Sequence, residues 1–101
     1  MDNKAVYIVA KWQVKEGQLE AVKALLPELV KQTTTEKGNL FYKIHQRVAD
    51  QHTLILFEGY ADEAAMNEHR NSAHFQELVV QQIVPLLEKR EVDIASELVF
   101  D

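Results

Sequence analysis

The residues of this chain best suited to moving protons are its four histidines, His45, His52, His69 and His74, and one carboxylate set in an apolar run, Glu58. His69 and His74 stand five apart in "NEHRNSAHFQEL", with the polar turn Arg70-Asn71-Ser72 between them and Phe75 following. Side chains that share a helix face are three or four apart, so this spacing places the pair across a helix break and argues against a metal held on one face. His69 would end one short helix and His74 would open the next, where the positive end of the helix dipole favours a neutral ring. A neutral imidazole can exchange a proton near pH 7. A structural junction, with each ring bonded to a nearby carbonyl, fits the same spacing. His52 falls in a turn and reads as solvated. His45, between Lys43 and Arg47 on a strand, reads as a sheet-face or interface residue.

Glu58 follows "LILF" on a strand that should be central, so its carboxylate must be paired, hydrogen-bonded or set in a cavity. Lys43 or Arg47 on the neighbouring strand is the candidate partner. Tyr60 shares its face by alternation, and Trp12 and Tyr42 join it if the register allows. An acid, tyrosines and one or two histidines around an apolar cavity suit a planar, oxygenated organic substrate.

The elements that must position these groups follow from hydropathy period. "AVYIVAKWQV" alternates and reads as a strand, stopped at "KEGQ". Leu19, Val22, Leu25, Leu26, Leu29 and Val30 recur at helical spacing, with Pro27 inside the pattern predicting a kink or break near Leu26. Gly38 is the expected left-handed cap. "NLFYKIHQRV" and "TLILFEGY" read as two strands joined by a hairpin at "ADQH". Asp62 should cap a short helix, "EAAMNEH". Ser72 or Asn71 should cap another that runs to Pro85, which closes it or bends its last turn. "EVDIASELVF" alternates as a fourth strand. Strand, helix, strand, strand, split helix, strand is the α+β, ferredoxin-like βαββαβ order, an antiparallel sheet with helices on one face. The other face would carry Tyr7, Val9, Phe41, Ile55 and Phe57, too apolar to leave wet, which predicts a homodimer with sheet facing sheet.

Composition narrows the function classes. At 101 residues, one domain spanning 1–101 is expected. A formal charge of −5 offers no footprint for nucleic acid or anionic lipid. With no cysteine, disulfides, thiolate metal sites and thiol catalysis are excluded. Gly17, Gly38 and Gly59 are too scattered for a phosphate-binding loop or a dinucleotide fingerprint. "MDNKAVYIV" does not read as a signal peptide, and no apolar run is long enough to span a membrane, so a cytoplasmic location is expected.

The residues Glu36, Gly38, Asn39, Tyr42 and Ile44, then Glu58 and Tyr60, then His69, Ser72, His74 and Phe75, form a joint pattern. In "EKGNLFYKIHQ" and "LILFEGYADEAAMNEHRNSAHFQEL" it resembles the antibiotic biosynthesis monooxygenase family of dimeric α+β-barrel proteins, over nearly the whole chain. The resemblance implies a homodimer with a cavity in each subunit between sheet and helices. It also implies oxidation of phenols or quinols by molecular oxygen with no metal or flavin cofactor, the protein supplying a base, a dry cavity and orientation. Tyr60 departs from the tryptophan often found at its position. The haem-degrading branch relies on an asparagine in the first strand and on that tryptophan; both are missing here, which argues against haem.

Three readings follow. The leading one is a cofactor-independent monooxygenase of quinol or polyphenol type. His69 or His74 is its base, Glu58 and Tyr60 orient the substrate, Asn39 hydrogen-bonds an oxygen, and Trp12, Tyr42 and Phe75 shape the cavity. The alternatives are an isomerase of a small, phosphorylated carbonyl compound, with Lys11, Lys43 or Arg47 as the anion contact, and a non-catalytic ligand-binding or stress-response dimer.

Overall fold

A computed structural model describes residues 4–100. β1 (Val6–Val14), α1 (Leu19–Thr34), β2 (Asn39–Gln46), β3 (Thr53–Tyr60) and α2 (Glu63–Arg70) come first. A π-helix (Phe75–Ile83), a 3-10 turn (Val84–Leu86) and β4 (Leu87–Ala95) complete the order. The four strands form one antiparallel sheet in the order β2-β3-β1-β4. This is the expected ferredoxin-like α+β fold, with the second helix split.

Alternation decides which side chains meet the helices. Ile8, Ala10, Trp12 and Val14 of β1 and Leu54, Leu56, Glu58 and Tyr60 of β3 are buried on the helix side. Val22 and Leu29 of α1 and Val79 and Ile83 of the π-helix, all fully buried, close the core over them. Each such side chain contributes about 1.5–3 kcal/mol by leaving water. On the opposite face, Val9 and Phe57 are each 43% exposed, while Tyr7 stacks on Phe41 with centroids 6.0 Å apart. That face is apolar, and no helix among the described residues covers it.

Several local expectations change. Pro27 does not break α1, which runs continuously from Leu19 to Thr34. It sits on the exposed side, where the Lys23 carbonyl it leaves unbonded can face water. Gly38 is not a left-handed cap, because among the described residues only Gly17 has positive φ (82°), in the turn before α1. Gly38 is needed for space instead: a Cβ there would overlap the Cβ of Ala65, so its absence lets α2 press against the start of β2. The Gly38 carbonyl then accepts from Ala61 N at 2.8 Å, tying the two segments together.

Asp62 caps α2 by accepting from Ala65 N at 2.8 Å. Ser72, rather than Asn71, caps the following segment, its Oγ accepting from Phe75 N at 3.2 Å. That segment is wound as a π-helix over nine residues, a form usually confined to single turns and frequent at functional sites. Pro85 lies in the 3-10 turn that ends it, so β4 begins at Leu87, earlier than alternation from Glu91 suggests, and stops at Ala95. A register shift between Asn39 and Phe41 turns Leu40 outward, where it is 53% exposed.

A candidate proton-transfer site under the split helix

Cross-strand register brings the predicted residues of the sheet together. Glu58 of β3 lies opposite Tyr42 of β2 and Ile8 of β1, and Trp12 pairs with Leu54 and Arg90 on its two sides. All point toward the helices. Lys43 and Arg47 are therefore not partners of Glu58: Lys43 pairs with Phe57, whose side chain is on the other face. The carboxylate instead accepts from the Tyr60 hydroxyl at 2.8 Å and is 6% exposed. Burial pushes the Glu58 pKa up to about 7, against the lowering effect of the Tyr60 hydrogen bond and the Arg70 charge. Burial also raises Tyr60 and Tyr42 well above an ordinary phenol, and the nearby Glu58 charge adds to both. Both tyrosines therefore stay protonated and act as donors.

The helix break supplies the other half. His69, at the end of α2, is 2% exposed and packs among aromatic rings, with Phe75 at 5.1 Å, Tyr60 at 5.2 Å and Tyr42 at 5.7 Å between centroids. Its Nδ1 lies 2.7 Å from Glu36 Oε2, and His74 Nε2 lies 2.5 Å from the same oxygen. Burial lowers the His69 pKa, outweighing the opposite pull of Glu36, so the ring is neutral near pH 7. The turn between the histidines is held by Ser72, whose hydroxyl donates to the His69 carbonyl at 2.6 Å.

Glu36 thus joins the two histidines, a role that the spacing of five left unassigned. Its place two residues before Gly38 in the family pattern was the signal in the sequence. Glu36, His69 and His74 are a described cluster with a metal-type donor set, with ligand atoms within 4.8 Å of one another. Two of those separations are hydrogen-bond contacts. Ligands about 2.0–2.1 Å from a tetrahedral zinc stand more than 3 Å apart. The arrangement is that of a carboxylate accepting from two rings.

Trp12, Tyr42, Glu58, His69, Phe75 and Arg90 line a cavity of about 20 Å³, with Arg70 and Val92 also in its wall. Two buried nitrogens of this group, Trp12 Nε1 and His69 Nε2, have no hydrogen-bond partner among the described residues. Native interiors rarely leave such groups unmet, so these are places where a ligand atom or water belongs. The cations at the cavity are Arg70 and Arg90, not Lys11, Lys43 or Arg47. Asn39 is elsewhere: its amide donates to the Phe41 carbonyl at 3.1 Å and the Gly59 carbonyl at 3.4 Å, bridging the irregular start of β2. A larger groove of about 630 Å³ runs between α1 and β2, and Tyr42 belongs to the walls of both hollows. It is wider but holds none of the paired proton-transfer groups. His45 lies on the outer face, against Phe57 at 4.6 Å, and His52 sits in the β2–β3 loop.

Known proteins share this arrangement of elements and about a third or less of its residues. The profile of the family "Antibiotic biosynthesis monooxygenase" matches residues 5–81. A Bacillus subtilis (strain 168) protein named "Putative monooxygenase YcnE" is 32% identical over 76 residues, covering 75% of this chain and 80% of its own. The Mycobacterium tuberculosis protein named "Putative monooxygenase Rv0793" is 33% identical over 70 residues, covering 69% and 68%. Its solved structure superimposes with a TM-score of 0.87 over 95% of this chain and 97% of that one, at 27% identity. A conserved protein from Methanosarcina mazei Go1 gives a TM-score of 0.88 at 28% identity over 94% of each chain. No helix among the described residues is long and apolar enough to cross a membrane. On the extent of the family match and of these likenesses, the chain belongs to the antibiotic biosynthesis monooxygenase family.

Proposed function

We propose that this protein is a cofactor-independent monooxygenase acting on a quinol or polyphenol, with His69 as its general base. The observation that carries this reading is that His69 and Trp12, whose buried Nε2 and Nε1 have no partner among the described residues, line one cavity together with Glu58. A phenolic hydroxyl has what both nitrogens lack, a proton to give and an oxygen lone pair to share. His69 takes the proton, and the electron pair of the O–H bond stays on oxygen as an electron-rich phenolate. The phenolate reduces molecular oxygen, and a peroxide forms on ring carbon. Loss of water then leaves one oxygen atom on the ring. The quinol supplies both electrons that reduce the second atom to water, so the balance needs no further reductant.

The cavity has room for about one water-sized group, so it fits a hydroxyl and not a whole ring. The ring would rest on the β4 side of the cavity, where Val92 and Ile94 are 37% and 51% exposed, with Arg90 beside it. Glu58, poised near neutrality, and Tyr60 behind it orient the hydroxyl. The uncovered outer face is proposed to bury itself against a second copy, giving a homodimer with one such site in each subunit. Oxygen uptake with simple hydroquinones and catechols tests the activity. No uptake above the uncatalysed rate with any of them would sink it.

One observation favours a second reading. A neutral His69 and a Glu58 with a pKa of about 7 on one small cavity would also serve proton transfer within a carbonyl compound, with Arg70 and Arg90 facing an anionic group. That isomerisation needs no oxygen, so turnover under anaerobic conditions separates the two.

A further inference from the structure

We propose that Glu36 is the positioning residue of this site: its carboxylate holds His69 as the Nδ1–H tautomer, leaving the Nε2 lone pair as the proton acceptor at the cavity. The inference deepens the reading of His69 as base and rests on it for its catalytic meaning, though not for its geometry.

Hydrogen-bond bookkeeping around Ser72 assigns the protons. The Ser72 hydroxyl carries one hydrogen and spends it on the His69 carbonyl at 2.6 Å. Toward His74 Nε2, 3.2 Å away, Ser72 Oγ can therefore only accept, which puts a proton on His74 Nε2. The same N–H faces Glu36 Oε2 at 2.5 Å, so its single hydrogen points chiefly to the carboxylate, with Ser72 Oγ as the weaker second acceptor of a three-centre bond. An ionised carboxylate only accepts, and the third group at that oxygen, His69 Nδ1 at 2.7 Å, must then carry its own proton. The other tautomer would leave a buried Nε2–H with no acceptor, since that atom has no partner. An orphaned buried N–H is the rarer defect.

The consequence is mechanistic. When His69 Nε2 takes a substrate proton, the ring becomes a cation buried among Tyr42, Tyr60 and Phe75. Glu36 is then its counter-charge, at hydrogen-bond distance and without rearrangement. His74 and Ser72 hold Glu36 in place from the other side. This explains why the histidines are separated by a turn: the turn lets two rings from successive segments converge on one oxygen.

The test needs no substrate. The full chain labelled with nitrogen-15 in histidine gives long-range proton–nitrogen spectra at pH 7.5, with His69 assigned by its loss in His69→Asn. The expected pattern is a protonated Nδ1 and an unprotonated Nε2 for His69 in the wild type. A protonated Nε2, or a doubly protonated ring, overturns the proposal. In Glu36→Gln the neutral amide is a weaker acceptor, and His69 should become a mixture of tautomers. An unchanged pure Nδ1–H signal in that variant also overturns it. If Glu36→Gln does not fold, the wild-type spectrum alone decides, with the outcomes already given. Oxygen uptake is scored separately: the expected spectrum without quinol turnover defeats the oxygenase reading alone, and turnover with the wrong tautomer defeats this one alone.

Discussion

His69 Nδ1 and Glu36 Oε2 stand 2.7 Å apart although the residues are 33 positions apart in the chain. The contact joins the turn between α1 and β2 to the end of α2, and with it the first half of the fold to the second. It makes the two histidines unequal. His69 is buried at the cavity with one nitrogen free, whereas the Nε2 of His74 is spent on Glu36 and Ser72.

That inequality predicts different kinetics. His69→Asn should lower kcat by about 10²–10⁴-fold, the range supplied by a positioned base. His74→Gln should give a smaller loss, because it acts only through Glu36. Initial oxygen-uptake rates with hydroquinone compare the two, and equal losses would contradict the assignment.

Glu58 predicts a dependence of stability on pH. Its folded pKa of about 7 lies above the ordinary carboxyl value of 4.5, so folding favours the protonated form. Its contribution is intact below about pH 4.5 and is lost as pH rises through 7, at about 1.4 kcal/mol per unit, or about 3 kcal/mol in all. His69 has the opposite sign: its folded pKa is depressed, so its contribution is present above 6.5 and lost as pH falls. Thermal melts between pH 5 and 8 should show an alkaline decline in the wild type that Glu58→Gln lacks. A wild-type melting temperature that rises steadily to pH 8 would contradict the burial of this carboxylate.

Gly38 predicts a steric cost. Gly38→Ala puts a methyl into the Ala65 side chain and should destabilise by about 1–3 kcal/mol, the usual penalty for overpacking. The double variant Gly38→Ala with Ala65→Gly should recover part of it despite the helix penalty of glycine. Urea midpoints measure both, and a neutral single variant would rule out the close approach.

Ser72→Ala removes the acceptor for Phe75 N and the hydroxyl that holds the turn. Losing such a cap costs about 1 kcal/mol, or roughly 4–8 °C for a domain of this size. Differential scanning calorimetry measures it, and the histidine spectra should show His74 loosened at the same time.

The proposed dimer is testable on the outer face. Phe57→Glu places a charge at a residue 43% exposed in the single chain and outside the core. Light scattering after gel filtration should give twice the chain mass for the wild type and the chain mass for the variant. A wild-type monomer would refute the pairing.

Much of this was readable from the sequence because it rests on local periodicity. Alternation in "AVYIVAKWQV" and "TLILFEGY" assigns strands and faces, and the recurrence of Leu19, Val22, Leu26 and Leu29 assigns a helix, since each follows from backbone geometry over a few residues. Hence the element order, the split second helix and the apolar outer face were all foreseeable. The predicted residues Trp12, Tyr42, Glu58, His69 and Phe75 share one cavity because strand register carries that pattern across the sheet.

Other features depend on distances between segments that no local pattern records. Lys43 was a reasonable partner for Glu58 until pairing placed it on the far face. Gly38 looked like a cap by position and is a spacer, because α2 happens to cross there. Asn39 is occupied by backbone carbonyls at a register shift. The sequence by itself determined the fold and the set of polar residues that enter its interior, through periodicities that backbone geometry imposes. Only the tertiary structure decided that Glu36 reaches both histidines and which ring nitrogen is left free. A hydrogen bond depends on tenths of an ångström between chain segments, and those are set by packing.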